Sequence, residues 1–154
     1  MKNLTRYLTM LFALIPLSVL LSNLFEIPVK INLSKDNYQL IQGFSSELVW
    51  LILFEVAALI MTVILIVIEK NKKRTFRHLL IALICFVISI ALFFIFILPA
   101  DITTNNWSDF PIDWESLRAQ WEYSNAIRAL LSFAGFSFIV LAFLKNRNYY
   151  RVFE

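Results

Sequence analysis

"WEYSNAIRALLSF", residues 121–133, carries Trp121, Glu122, Asn125 and Arg128 directly into a run of apolar residues. Extended back to Trp114 and on to Leu144, the stretch reads as one helix. Trp114, Leu117, Trp121, Asn125 and Arg128 fall at spacings of 3, 4, 4 and 3, which places them on a single stripe. At about 1.5 Å per residue this helix measures roughly 45 Å, enough to cross a bilayer and project several turns beyond it. A charge at mid-span costs on the order of 2.5–3.5 kcal/mol, and less near the interface. Arg128 lies on the stripe that Trp114, Leu117 and Trp121 turn inward, so its partner is expected inside the protein.

The rest of the 154-residue chain agrees with this reading. It is 60% hydrophobic and 16% charged, has two Gly, and has a mean hydropathy of +0.73, a composition of membrane proteins. Spanning takes about 20 apolar residues, and four such runs are present, near residues 7–25, 48–68, 79–98 and 125–144. The expected fold is an all-α integral membrane protein: a four-helix antiparallel bundle forming a single domain over residues 1–154. No repeat, low-complexity tract or Gly/Ser linker interrupts it. "MKNLTRY" could also open a secretory signal, but the following run is long for one, Pro16 interrupts it and no A-x-A-like site follows. The lone Cys85 excludes an intramolecular disulfide and CxxC chemistry, and reads as a packing residue. His78, beside Arg77, reads as facing headgroups, so neither a metal site nor a cofactor is expected.

Ten basic residues (Lys2, Arg6, Lys70, Lys72, Lys73, Arg74, Arg77, Lys145, Arg147 and Arg151) fall on one side of these spans and four (Lys30, Lys35, Arg118 and Arg128) on the other. The positive-inside rule then puts both termini in the cytoplasm, and we expect an inner (cell) membrane location. Trp50, Trp107, Trp114 and Trp121 mark the outer interface, while Tyr7, Tyr149 and Tyr150 mark the inner one. The turn "EKNKKRTFRH" is expected to meet anionic lipid headgroups, not nucleic acid.

Two long outer segments are expected to form a loop and helix cap. In the first, Pro28 favours an extended start, and Ser34 can cap a short helix whose Tyr38, Ile41 and Phe44 lie on the bundle. In the second, Pro99 ends the third span and Asp113 is the candidate N-cap of the helix beginning at Trp114. Arg118 and Glu122, four residues apart, read as an exposed pair.

Glu55, in "LVWLILFEVAALIM", stands well inside an apolar run, about two turns below the outer end of the second span. The second and fourth spans run in the same direction, which sets Glu55 and Arg128 at depths differing by only about 4–5 Å. A guanidinium can bridge that gap. Asn23 and Asn125 lie at similar depth and are expected to complete the hydrogen bonding. Two readings compete for this polar core: a buried pair that fixes helix register, and a ligand or catalytic pocket.

"NLFEIPVKINLSKDNYQLIQ" (23–42) and "LPADITTNNWSDFPIDWESLRAQWEYSNAIRALLSF" (98–133) resemble the signature regions of a bacterial and fungal family of four-helix membrane proteins of unknown function that includes the anthrone oxygenases. Glu26, Pro28, Asn106, Trp107, Trp114, Glu115, Arg118, Trp121 and Glu122 match that pattern. Asn23 and Asn125 stand where many relatives have His, and an amide cannot act as a base. Most of that family has no assigned activity; its best understood branch oxidises polycyclic phenolic anthrones to quinones with molecular oxygen and no evident metal or organic cofactor, and that is the activity the resemblance implies. On that reading Glu55 would take the acidic proton and Arg128 would stabilise the anion.

The functional expectation is therefore a protein that binds, and as an oxygenase would oxidise, a small apolar or aromatic molecule reached from the outer leaflet. Trp114 and Trp121 would stack on it, while Glu55, Asn125 and Arg128 orient its polar group. The alternative is a noncatalytic scaffold whose aromatic cap meets a second copy or another membrane protein. Membrane lipids surround it in either case. One charged pair and few other polar residues offer no continuous path for a channel.

Overall fold

The computed structural model describes residues 2–46 and 49–144, without the side chains of residues 43–49. Phe44, Lys145, Arg147, Tyr149, Tyr150 and Arg151, used above, lie outside the described side chains. Among the described residues every regular element is helical: α1 Lys2–Lys30, α2 Lys35–Ser46, a 3-10 turn Val49–Leu51, α3 Ile52–Glu69, α4 Lys73–Leu92, a π-helical segment Phe93–Ile97, α5 Leu98–Thr103 and α6 Trp114–Leu144. Four helical stretches, Lys2–Lys30, Ile52–Glu69, Lys73–Thr103 and Trp114–Leu144, are long and apolar enough to cross a membrane.

α1 packs against α3 and α6, and α4 packs against the same two helices, so α3 and α6 face each other across the centre. The buried positions recur at the spacing this packing demands. On α3 they are Glu55, Ala58, Thr62, Leu65 and Glu69, and on α4 they are Thr75, Leu79, Ala82, Phe86 and Ser89. Alternating steps of three and four residues keep one seam facing its neighbours, as in left-handed bundles. Small side chains let the backbones approach: Ala13, Ala58, Ala82, Gly135 and Ala142 line the seams around Leu65, Leu79, Phe86 and Ile139. The outward faces are apolar too, with Leu53, Ile60, Val67, Ile84 and Val87 exposed, a surface suited to lipid and not to water.

Gly135 shows how tight the seam is. A Cβ there would lie 3.0 Å and 3.1 Å from the ring of buried Phe86. We expect Gly135→Val to destabilise by about 1–3 kcal/mol through overpacking, measurable as a lowered melting temperature in detergent.

Two prolines lie inside helices where the sequence suggested breaks. α1 continues through Pro28 to Lys30; Lys30 pairs with Glu26 one turn earlier and Asn32 Nδ2 donates to the Pro28 carbonyl. Residues beyond Pro28 thus keep helical partners, and the expected extended start is not formed. The third span likewise passes Pro99 and ends at Thr103. The π segment just before it, closed by Leu98 N–H donating to the Phe93 carbonyl, widens the turn where a proline ring would crowd the preceding carbonyls. α6 begins at Trp114 as expected, its first turn closed by Ser116 and Leu117 N–H donating to the Asp113 carbonyl.

α2 and the 104–113 loop pack against one another through Tyr38, Trp107, Phe110 and Trp114. On α2 the inward residues are Tyr38 and Gln42, both fully buried, and Ile41 is 41% exposed; the stripe steps by four, so Ile41 was misplaced. Asn105, Asn106 and Trp107 all have positive φ (46°, 54° and 64°), one turn of left-handed backbone. Asparagine tolerates this, whereas a bulky residue is strained by roughly 1–2 kcal/mol. Trp107 is held there because its N–H donates to Thr104 Oγ1 (3.1 Å) and its indole N–H to Asp101 Oδ1 (2.9 Å).

Candidate functional site

Between the apolar seam and the aromatic cluster around Trp107 lies a polar layer. Glu55, 1% exposed, accepts from Arg128 Nη2 at 2.8 Å. The two charges come from α3 and α6 and meet across the centre of the molecule, the arrangement the depth argument requires. Glu55 Oε1 accepts two further hydrogen bonds, from Ser132 Oγ at 2.9 Å and from Ser89 Oγ. These serines were missed in the sequence. The signal was present, since Ser132 follows Arg128 by four residues and Ser89 continues the Thr75–Leu79–Ala82–Phe86 stripe.

Arg128 turns its other edge away from Glu55. Its Nη1 donates to Asn125 Oδ1 at 3.0 Å, and its guanidinium carbon lies 5.0 Å from the centre of the Phe93 ring, close enough for a cation–π contribution. Phe93 is the first residue of the π segment, so the irregular turn sets the floor under the guanidinium. Arg128 Nε and Asn125 Nδ2 are buried and have no hydrogen-bond partner among the described residues. Buried donors left unmatched cost about 1–3 kcal/mol each.

Both residues line a small cavity of about 50 Å³. Val19, Leu20 and Asn23 of α1 form one wall, Leu51 and Ile52 at the start of α3 another, and Phe93, Ile97 and Trp121 close it. A drug-sized ligand fills roughly 300–1,000 Å³ and one water about 30 Å³. The space has room for a small polar group and not for a polycyclic body.

The other expected site residues divide. Asn23 lines the cavity but does not join the ion pair; its Oδ1 lies 3.4 Å from Lys30 Nζ, because Lys30, held inside the extended α1, reaches it first. Trp121 lines the cavity with its indole N–H fixed on Asp101 Oδ1 (2.9 Å). Trp114 is outside the cavity and its ring is occupied: the Arg118 guanidinium carbon lies 4.5 Å from its centre, and Tyr38 and Phe110 pack beside it. It offers the cavity no stacking face. Glu55 is not a lining residue, and three donors already engage its oxygens. That geometry makes it a positioning group for Arg128 and leaves it poorly placed to take a proton from a bound molecule.

Arg118 and Glu122 are not the exposed pair their spacing suggests. Both are buried, and each bonds elsewhere: Arg118 Nη1 to the Leu33 carbonyl (2.9 Å), Glu122 Oε1 from the Tyr38 hydroxyl (3.1 Å). α2 and the loop before it cover them, a long-range contact invisible to helical spacing. Burial, followed by the neighbouring Glu122 carboxylate, pushes the Tyr38 hydroxyl well above its ordinary value. An unfolded tyrosine titrates near pH ~10, so Tyr38 contributes stability that is complete below that pH and lost as the pH rises above it. We expect Tyr38→Phe to cost about 1 kcal/mol at neutral pH and to flatten the alkaline fall of the melting temperature.

Among the described residues no group of three His, Cys, Asp or Glu side chains converges as a metal would require. His78 Nδ1 lies 2.7 Å from the Arg74 carbonyl, and Cys85 is a free, half-buried thiol. Comparison of the chain with known protein families, with curated proteins and with solved structures finds no match to any of them.

Proposed function

We propose that this chain is a four-helix antiparallel bundle of the cell (inner) membrane, with both termini cytoplasmic, and that it binds a small apolar or aromatic molecule by an acceptor oxygen at its extracytoplasmic end. The observation that carries this reading is the pair of buried, unpartnered donors, Arg128 Nε and Asn125 Nδ2, on residues that line one cavity. α2 and the 104–113 loop act as the outer cap. The cavity's apolar walls accept the part of the ligand nearest its oxygen, and the remainder lies toward the lipid beside α1 and α3.

Charge selects the kind of oxygen. Arg128 is already matched by Glu55, and Lys30 and Arg118 share this end with Glu26, Asp101 and Glu122. With carboxylates in the majority, a neutral carbonyl is favoured over an anion. Oxidation of the bound molecule, as in the anthrone-oxygenase-like proteins, would need a base other than Glu55.

Lipid-nanodisc protein extracted with organic solvent and analysed by mass spectrometry should yield a carbonyl-bearing apolar compound. Asn125→Leu, which removes one donor, should retain about tenfold less of it. Equal retention by Asn125→Leu and wild type would exclude this site. Leu40 on α2 and Ile112 in the 104–113 loop, 76% and 105% exposed, favour a second reading, a scaffold that meets another membrane protein or a second copy. Protein that stays monomeric and free of protein partners after mild solubilisation would count against it.

A further inference from the structure

At the opposite end of the molecule, Glu69 closes α3 with its side chain fully buried. Three cations converge on it: Arg6 Nη2 and Lys2 Nζ (3.3 Å) on Oε1, and Lys72 Nζ (3.1 Å) on Oε2. One carboxylate therefore holds three positive charges, an excess of two.

The excess is accessible. The side chains of Lys2 and Lys72 are 47% and 48% exposed, although each reaches the same carboxylate. Their ammonium groups are thereby held on the two oxygens of one carboxylate, each with donors left over. Glu69 is the one carboxylate among the described residues at this end, and Lys70, Lys73, Arg74 and Arg77 add to the positive field. Apolar surface adjoins it: Leu4 and Tyr7 on α1 are 60% and 61% exposed, and Val67 on α3 is 62% exposed.

We infer that Lys2, Arg6 and Lys72, preorganised by Glu69, form a site for the phosphate of an anionic membrane lipid whose acyl chains lie along the apolar faces of α1 and α3. The lipid supplies the two charges that Glu69 leaves unmatched, so a headgroup carrying two negative charges binds better than one carrying a single charge. A free phosphate lacks the chains and binds weakly. This inference needs the spans to lie in a membrane, but it is independent of any ligand at the Arg128 cavity.

The test is the thermal stability of the full chain in neutral detergent, each variant compared with itself without additive. Phosphatidate or cardiolipin should raise the melting temperature of the wild type by about 5 °C or more at saturation. Phosphatidylglycerol should raise it less, and phosphatidylcholine or inorganic phosphate hardly at all. Lys2→Gln/Lys72→Gln should abolish the rise, while Lys73→Gln/Arg74→Gln, which removes the same charge from outside the site, should keep it. Glu69→Gln should enlarge the rise, because the lipid then becomes the only counterion these cations have among the described residues. Equal rises in the two double variants would show a diffuse basic surface and overturn the site. A rise with inorganic phosphate equal to that with phosphatidate would overturn the lipid assignment. Should Glu69→Gln not fold, the two double variants decide the matter alone.

Discussion

Glu55→Leu is expected to destabilise the protein by about 3–5 kcal/mol, because it leaves the Arg128 guanidinium buried without its counter-charge. Ser89 and Ser132, which donate to Glu55 in the native protein, lose their acceptor as well. Arg128→Met should cost less, since Glu55 can still accept hydrogen bonds from both serines. The double variant Glu55→Leu/Arg128→Met should be more stable than Glu55→Leu alone, because no uncompensated charge remains. Reversible unfolding in mixed micelles measures all three. Additive losses would mean that the two side chains do not share an environment.

The second large effect is expected at Asp101. Its Oδ1 accepts both the Trp107 and the Trp121 indole N–H, each at 2.9 Å, and its backbone carbonyl accepts the Asn106 N–H at 2.7 Å. One carboxylate thus ties the left-handed turn to α6. Asp101→Leu orphans two buried donors at about 1–3 kcal/mol each and removes the contact that holds Trp107 in its strained conformation, for a total of about 3–5 kcal/mol. Asp101→Asn keeps an acceptor oxygen in place and should cost roughly 1–2 kcal/mol. In NMR spectra the indole N–H resonances of Trp107 and Trp121 should move together in the leucine variant. Movement of one without the other would refute the shared acceptor.

Much of this architecture is legible in the sequence, because lipid leaves few options. Hydrocarbon demands continuous apolar helices, and that fixes four stretches whose three-and-four spacing reports the seam. Helix direction and depth set Glu55 and Arg128 at similar heights, and the fold brings their side chains together. Contacts made by the short segments are harder to read. Arg118 and Glu122 have the spacing of a surface pair, yet α2 covers them, and nothing local to α6 announces that Tyr38, more than 80 positions earlier, supplies the hydrogen bond to Glu122. Asn23 sits at the depth of the ion pair, yet α1 continues through Pro28, where the sequence suggests a break, and brings Lys30 into reach of its side chain. Glu69 looks like part of a basic turn, and only folding shows three cations gathered on it. Proline and charge spacing are local signals; the continuation of α1 overrode the first, and tertiary contacts overrode the second.

Electron density from crystals grown in a lipidic phase should show the Arg128 guanidinium on Glu55 and an oxygen-bearing feature within hydrogen-bond distance of Arg128 Nε or Asn125 Nδ2. A guanidinium turned out to the lipid headgroups, with the space beside Asn125 closed by side chains, would contradict the proposed binding site.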